Sequence, residues 1–80
     1  MVQHGTPVPP WRQLAALLRE QIASGELPPG ARLPSILRLS QEHGIATVTV
    51  RKALDALKDE GLIETTPGYG TFVASTHRAG

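Results

Sequence analysis

The chain has no cysteine, and only one each of tryptophan, tyrosine, phenylalanine and methionine. Without thiols neither a disulfide framework nor a thiolate zinc site can form, and a reducing, cytoplasmic compartment is the plainer expectation. No apolar run approaches the roughly 18 residues that span a bilayer. The opening Met1-Val2-Gln3-His4-Gly5-Thr6-Pro7 has neither the basic start nor the apolar stretch of a signal peptide. Charge of one sign is scarce as well. Eight Lys plus Arg against seven Asp plus Glu leave +1, an odd balance for a non-specific nucleic-acid coater, though compatible with cations concentrated on one face. The 80 residues, 40% of them apolar, suffice for one small domain with a single core. They are too few for an ordinary ligand pocket besides, and too apolar for a disordered tail.

What is present is helical periodicity followed by a change of period. Residues 1–8 carry prolines and little to bury, and are expected to be a flexible arm. Pro9-Pro10 opens a helix, because the N–H that proline lacks has no partner in a first turn. Trp11, Leu14, Leu17, Leu18 and Ile22 then form one stripe on a 3.6-residue period, and Gly25 supplies a left-handed stop. Leu27-Pro28-Pro29-Gly30 is a turn whose prolines forbid continuation. Ser35 is a good N-cap for a short helix running to about His43, closed by Gly44. From 47 to 60, Val50, Ala53, Leu54 and Leu57 make a second stripe that Gly61 ends. Leu62-Ile63-Glu64-Thr65-Thr66 and Thr71-Phe72-Val73 read as strands joined by the glycine-rich turn Pro67-Gly68-Tyr69-Gly70. A lone hairpin is marginal in water, so this one must lean on the helices. Residues 74–80 have no pattern and are expected to be a frayed tail or the start of a linker.

The expected fold is therefore mainly α with a small β-hairpin. Two helices joined by a short glycine-containing turn, here Gly44-Ile45-Ala46, form a helix-turn-helix at about 36–55, and the hairpin at about 62–73 adds a wing. In such a winged helix the second helix offers its N-terminal residues to the major groove of DNA.

Three ordered blocks carry a family resemblance across 9–73. Gly25-Glu26-Leu27-Pro28-Pro29-Gly30-Ala31-Arg32-Leu33-Pro34-Ser35 resembles the linker and N-cap of the GntR family of bacterial transcriptional regulators. Thr49-Val50-Arg51-Lys52-Ala53-Leu54, with Leu57 and Glu60-Gly61-Leu62-Ile63, is similar to that family's recognition helix and exit. Gly68-Tyr69-Gly70-Thr71-Phe72-Val73 resembles its wing. The resemblance implies sequence-specific binding of double-stranded DNA by the reader domain of a transcription regulator. It places Ser35 against phosphate, Thr47, Thr49 and Arg51 facing DNA, and Gly68, Tyr69 and Gly70 on the minor-groove side or backbone; Lys52 is read beside them as a solvated surface charge or a further phosphate contact. Arginine suits the role because it can bond bidentately to guanine O6 and N7, and a glycine tip lets backbone N–H groups come close to phosphate. It also implies a homodimer on a two-fold operator if a C-terminal domain is joined. The 80 residues alone are expected to be monomeric and to bind weakly.

Two departures from the family pattern stand out. Leu37 stands where the family commonly has arginine, and Ala46-Thr47 where it commonly has Ser-Arg, so that Ala46 cannot cap its helix. Arg38 is about 100° round the helix from Leu37 and points elsewhere. Ile36 and Leu37 leave open packing against the rest of the domain, a thymine methyl contact, or a protein interface. A protein-interaction winged helix with weak or no DNA binding is the competing class.

No catalytic site is expected. His4, His43 and His77 have no metal-ligand spacing, and His43 is explained by its place at a helix C-terminus. Ser35, His43 and Asp55 lack a nucleophile elbow, and Gly68-Tyr69-Gly70 is too short for a nucleotide loop. No metal or cofactor is expected.

Overall fold

A computed structural model of the chain describes residues 8–75, so most of the expected arm and tail, with His4 and His77, lies outside the described residues. Three helices come first: α1 (Pro10–Ser24), α2 (Ile36–His43) and α3 (Thr47–Asp59). Two antiparallel strands follow, β1 (Ile63–Thr66) and β2 (Gly70–Val73), paired from Ile63 opposite Val73 to Thr66 opposite Gly70. The winged helix expected from the sequence is the fold observed, and no described helix is long and apolar enough to cross a membrane.

Helix α3 is the hub, packing against α1, α2 and β1. Its stripe Val50, Ala53, Leu54 and Leu57 meets Leu14, Ala15 and Leu18 of α1, Leu39 of α2, Leu33 of the linker, and Ile63 and Val73 of the hairpin. The predicted stripe of α1 needs correction. Leu17 is 38% exposed and Ala15 is buried in its place, because the tight contact with α3 centres between Leu14 and Leu18 and favours a small residue there.

The linker holds a feature that no sequence period announces. Gly30 donates its N–H to the Val73 carbonyl at 2.9 Å, Val73 donates to Ala31 at 2.8 Å, and Leu33 donates to Thr71 at 2.8 Å. Arg32 thereby lies opposite Phe72 in an isolated bridge, and the linker acts as a third, minimal strand that anchors the wing. Order also continues past the expected hairpin end, since Ala74 is buried and donates to Leu62 at 2.9 Å. This pairing answers how a two-stranded hairpin survives: its inner strand is bonded on both edges.

One exposed ion pair ties the first helix to the end of the third. Arg19 Nε and Nη2 reach Glu60 Oε1 and Oε2 at 2.9 and 2.6 Å, with the two side chains 44% and 40% exposed. Chiefly through these hydrogen bonds, Glu60 is held below the usual carboxylate range and Arg19 is raised. A lowered carboxyl pKa contributes stability at neutral pH that disappears as the pH falls through that lowered value. Exposure keeps the contribution at about 1 kcal/mol or less.

Candidate nucleic-acid interface

The helix-turn-helix is set by local bonding. Ser35 caps α2 by accepting the Arg38 N–H at 3.1 Å. At the other end Gly44 takes φ 66° and donates to Ser40. The Ser40 hydroxyl in turn donates to the Ile45 carbonyl, closing the turn. Ala46 then occupies the N-cap of α3 with no side chain to accept from the first turn. Ala46→Ser is expected to stabilise the fold by about 1 kcal/mol, raising the midpoint of thermal unfolding by roughly 4–8 °C. Scanning calorimetry of the pair checks this.

Around α3 the predicted residues separate by angle. Thr47 is exposed at the first position, while Thr49 is half-buried and so is less available than Thr47. Arg51 is exposed and lines a cleft with Ile36, Asp55, Lys58, Thr65 and Thr71, between the start of α2 and the wing. Lys52, about 100° further round the helix, turns instead towards α1, with Nζ 5.2 Å from the centre of the Trp11 ring. Arg12 approaches the same ring at 5.9 Å. The consecutive cations therefore serve different sides of the helix.

At the wing, Tyr69 donates its N–H to the Thr66 carbonyl at 2.9 Å. Pro67 and Gly68, the latter at φ 83°, occupy the two central positions of a type II turn, which needs a positive φ at the second. Tyr69 projects from it, 70% exposed. Gly70 is bound to remain glycine: its φ is 120°, and a Cβ there would stand 3.0 Å from Arg32 Nε. Gly70→Ala is expected to cost about 1–3 kcal/mol through backbone strain and to displace Arg32. Thermal unfolding reads the first effect, and the salt dependence of duplex binding reads the second.

Arg32 is the functional candidate that sequence reasoning missed. It stood within the linker block of the family resemblance with no role assigned to it, and the bridge to Phe72 depends on a distant strand. Among the described residues Arg19 and Arg38 are neutralised by Glu60 and Glu42, whereas Arg12, Arg32, Arg51, Lys52 and Lys58 make no ion pair. Arg32, Arg51 and Lys58 line adjoining clefts between α3, the start of α2 and the wing, with Asp55 as the one acid there. The near-neutral total thus conceals a face on which cations outnumber acids. Arg38, paired with Glu42 at 3.0 Å, does not substitute for a cation at Leu37, as the helix rotation anticipated. Leu37 itself is 60% exposed and Ile36 half-buried, so packing absorbs Ile36 and leaves Leu37 at the surface.

Comparison with known proteins places this geometry. A family described as "Bacterial regulatory proteins, gntR family" matches residues 10–73. The chain is 48% identical over 65 residues to the mannosyl-D-glycerate transport/metabolism system repressor MngR of Escherichia coli, covering 81% of this chain and 27% of that protein. It is 42% identical over 69 residues to the HTH-type transcriptional repressor NagR of Bacillus subtilis, covering 86% and 28%. The chain spans about a quarter of the length of these relatives. Among solved structures, the AraR DNA-binding domain in complex with operator ORR3 has a TM-score of 0.85 at 30% identity, over 92% of this chain and 89% of that one. YtrA from Sulfolobus acidocaldarius, a GntR-family transcription factor, has a TM-score of 0.82 at 39% identity, over 89% and 74%. With its three helices, its bonded wing and the family match over residues 10–73, the chain belongs to the GntR family of bacterial regulatory proteins.

Proposed function

We propose that this domain reads operator DNA for a transcriptional regulator, placing α3 in the major groove and the wing on the adjacent minor groove or backbone. The carrying observation is that Arg32, Arg51 and Lys58, unpaired among the described residues, line adjoining clefts between α3, the start of α2 and the wing. Duplex DNA is the partner such a helix and such a charge distribution fit. Thr47 and Arg51 supply base or phosphate contacts from the helix, with Thr49 contributing from the flank. The Ser35 hydroxyl accepts the cap bond and retains a proton to donate to a phosphate. Lys52, steadied on Trp11, serves the backbone on the α1 side, and Gly68, Tyr69 and Gly70 approach from the wing.

The role is one of binding, without a catalytic step or cofactor, and a cytoplasmic location follows from it. In a regulator that also carries a dimerising domain, two copies would engage half-sites about one helical turn apart. For the 80 residues alone, about three phosphate contacts predict that log K falls with log salt at a slope near −3. Titrations of a duplex pool by fluorescence anisotropy at several salt concentrations test this. Binding at low salt with that slope supports the reading, while no binding, or binding indifferent to salt, overturns it.

A further inference from the structure

Two of the most exposed aliphatic side chains lie beside the proposed DNA-reading residues. Val48 is 69% exposed and Leu37 is 60% exposed, each the second residue of its helix, α3 and α2. Val48 stands two positions before buried Val50, and Leu37 two positions before buried Leu39. At about 100° per residue, each points away from the core. Both stand outside the buried cluster and the residues packed against it, so the core accounts for neither. Val48 is flanked by Thr47 and lies one turn before Arg51 and Lys52. Leu37 follows Ile36, which shares the cleft of Arg51. The start of α2 therefore opens on the same side as Arg51.

An α-helix offered to a major groove meets hydrogen-bonding edges and one apolar group, the C5-methyl of thymine. Valine and leucine have nothing to hydrogen-bond with, and any other base edge would lose water against them without compensation. We propose that Val48 and Leu37 are specificity-determining residues that select thymine by burying its methyl group. The half-site then carries thymines at the positions these side chains cover, beside the base or phosphate that Arg51 engages. The inference rests on the DNA-reading function proposed above and deepens it.

Deoxyuridine in place of thymidine removes that methyl and nothing else, so the change can be made on the DNA without touching the protein's fold. A duplex selected by the 80-residue chain from a random pool would be resynthesised with each thymidine replaced singly. Two positions are expected to weaken binding about fourfold each, the effect of losing one buried methyl. One of these should become insensitive to the replacement in Leu37→Ala and the other in Val48→Ala, while both variants keep the wild-type circular dichroism spectrum. Uniform insensitivity to deoxyuridine, or losses of the same size in wild type and both variants, would overturn the assignment while leaving DNA reading intact. Failure to select any duplex would remove both, and alanine variants with unaltered DNA affinity would leave these side chains to a protein partner.

Discussion

Arg51→Glu is expected to weaken duplex binding by about 100-fold or more while the thermal midpoint stays nearly unchanged. The magnitude has two sources. A lost bidentate or phosphate bond removes about 1–3 kcal/mol, and a carboxylate held against the DNA backbone adds repulsion of similar size. The fold is spared because Arg51 is exposed and makes no ion pair among the described residues, a situation in which surface substitutions stay within about 0.5 kcal/mol. Arg38→Ala is the matched control. That guanidinium is already committed to Glu42, on the surface of α2, and its loss should change affinity only slightly. Anisotropy titrations and thermal melts on the same samples separate the two effects.

The second large effect falls on stability. Leu57→Ala should cost about 2–5 kcal/mol, because Leu57 is fully buried and its neighbours cannot collapse completely into the space left. Folded domains carry about 5–15 kcal/mol of stability, and small ones sit low in that range. The variant should therefore melt about 8 °C lower or more, on a scale of roughly 4–8 °C per kcal/mol, with DNA binding lost as the population unfolds. Leu17→Ala provides the contrast. Leu17 belongs to the same kind of sequence stripe but is 38% exposed, so its truncation should cost well under half as much.

That contrast marks what a sequence can disclose. Helix limits were legible because their causes are local. Pro10 and Ser35 start helices, and Gly25 and Gly44 end them with positive φ. The hairpin was legible from its period and from Pro67-Gly68, with a displacement of one residue only at the strand starts, β1 beginning later and β2 earlier than expected. The displacement arises because Leu62 is occupied in bonding Ala74 and Leu57, and Gly70 pairs with Thr66. Non-local features were not legible. Nothing in the run Ala31-Arg32-Leu33 announces that it borders β2, because the partner lies some forty positions away. Periodicity also weighs Leu14 and Leu17 alike, although only the approach of α3 decides which is covered.

The candidate site shows the same division. Arg51, Ser35 and Tyr69 could be singled out from spacing and family resemblance, and each lies exposed on the described domain. The separation of Lys52 from Arg51 follows from helix rotation, but that Trp11 waits on the side Lys52 takes depends on how α1 packs against α3. The positive face is likewise a product of pairing. Arg19 and Arg38 are neutralised by acids elsewhere, which leaves Arg32, Arg51 and Lys58 as local excess charge in a chain of formal net charge +1.

Selection of random duplex DNA on the immobilised chain at low salt would show whether this domain reads base sequence. Wild type should enrich a short motif, and Arg51→Ala selected in parallel should relax that motif at one position or lose it. Recovery of unenriched sequences, with binding that tracks only the salt concentration, would contradict base reading.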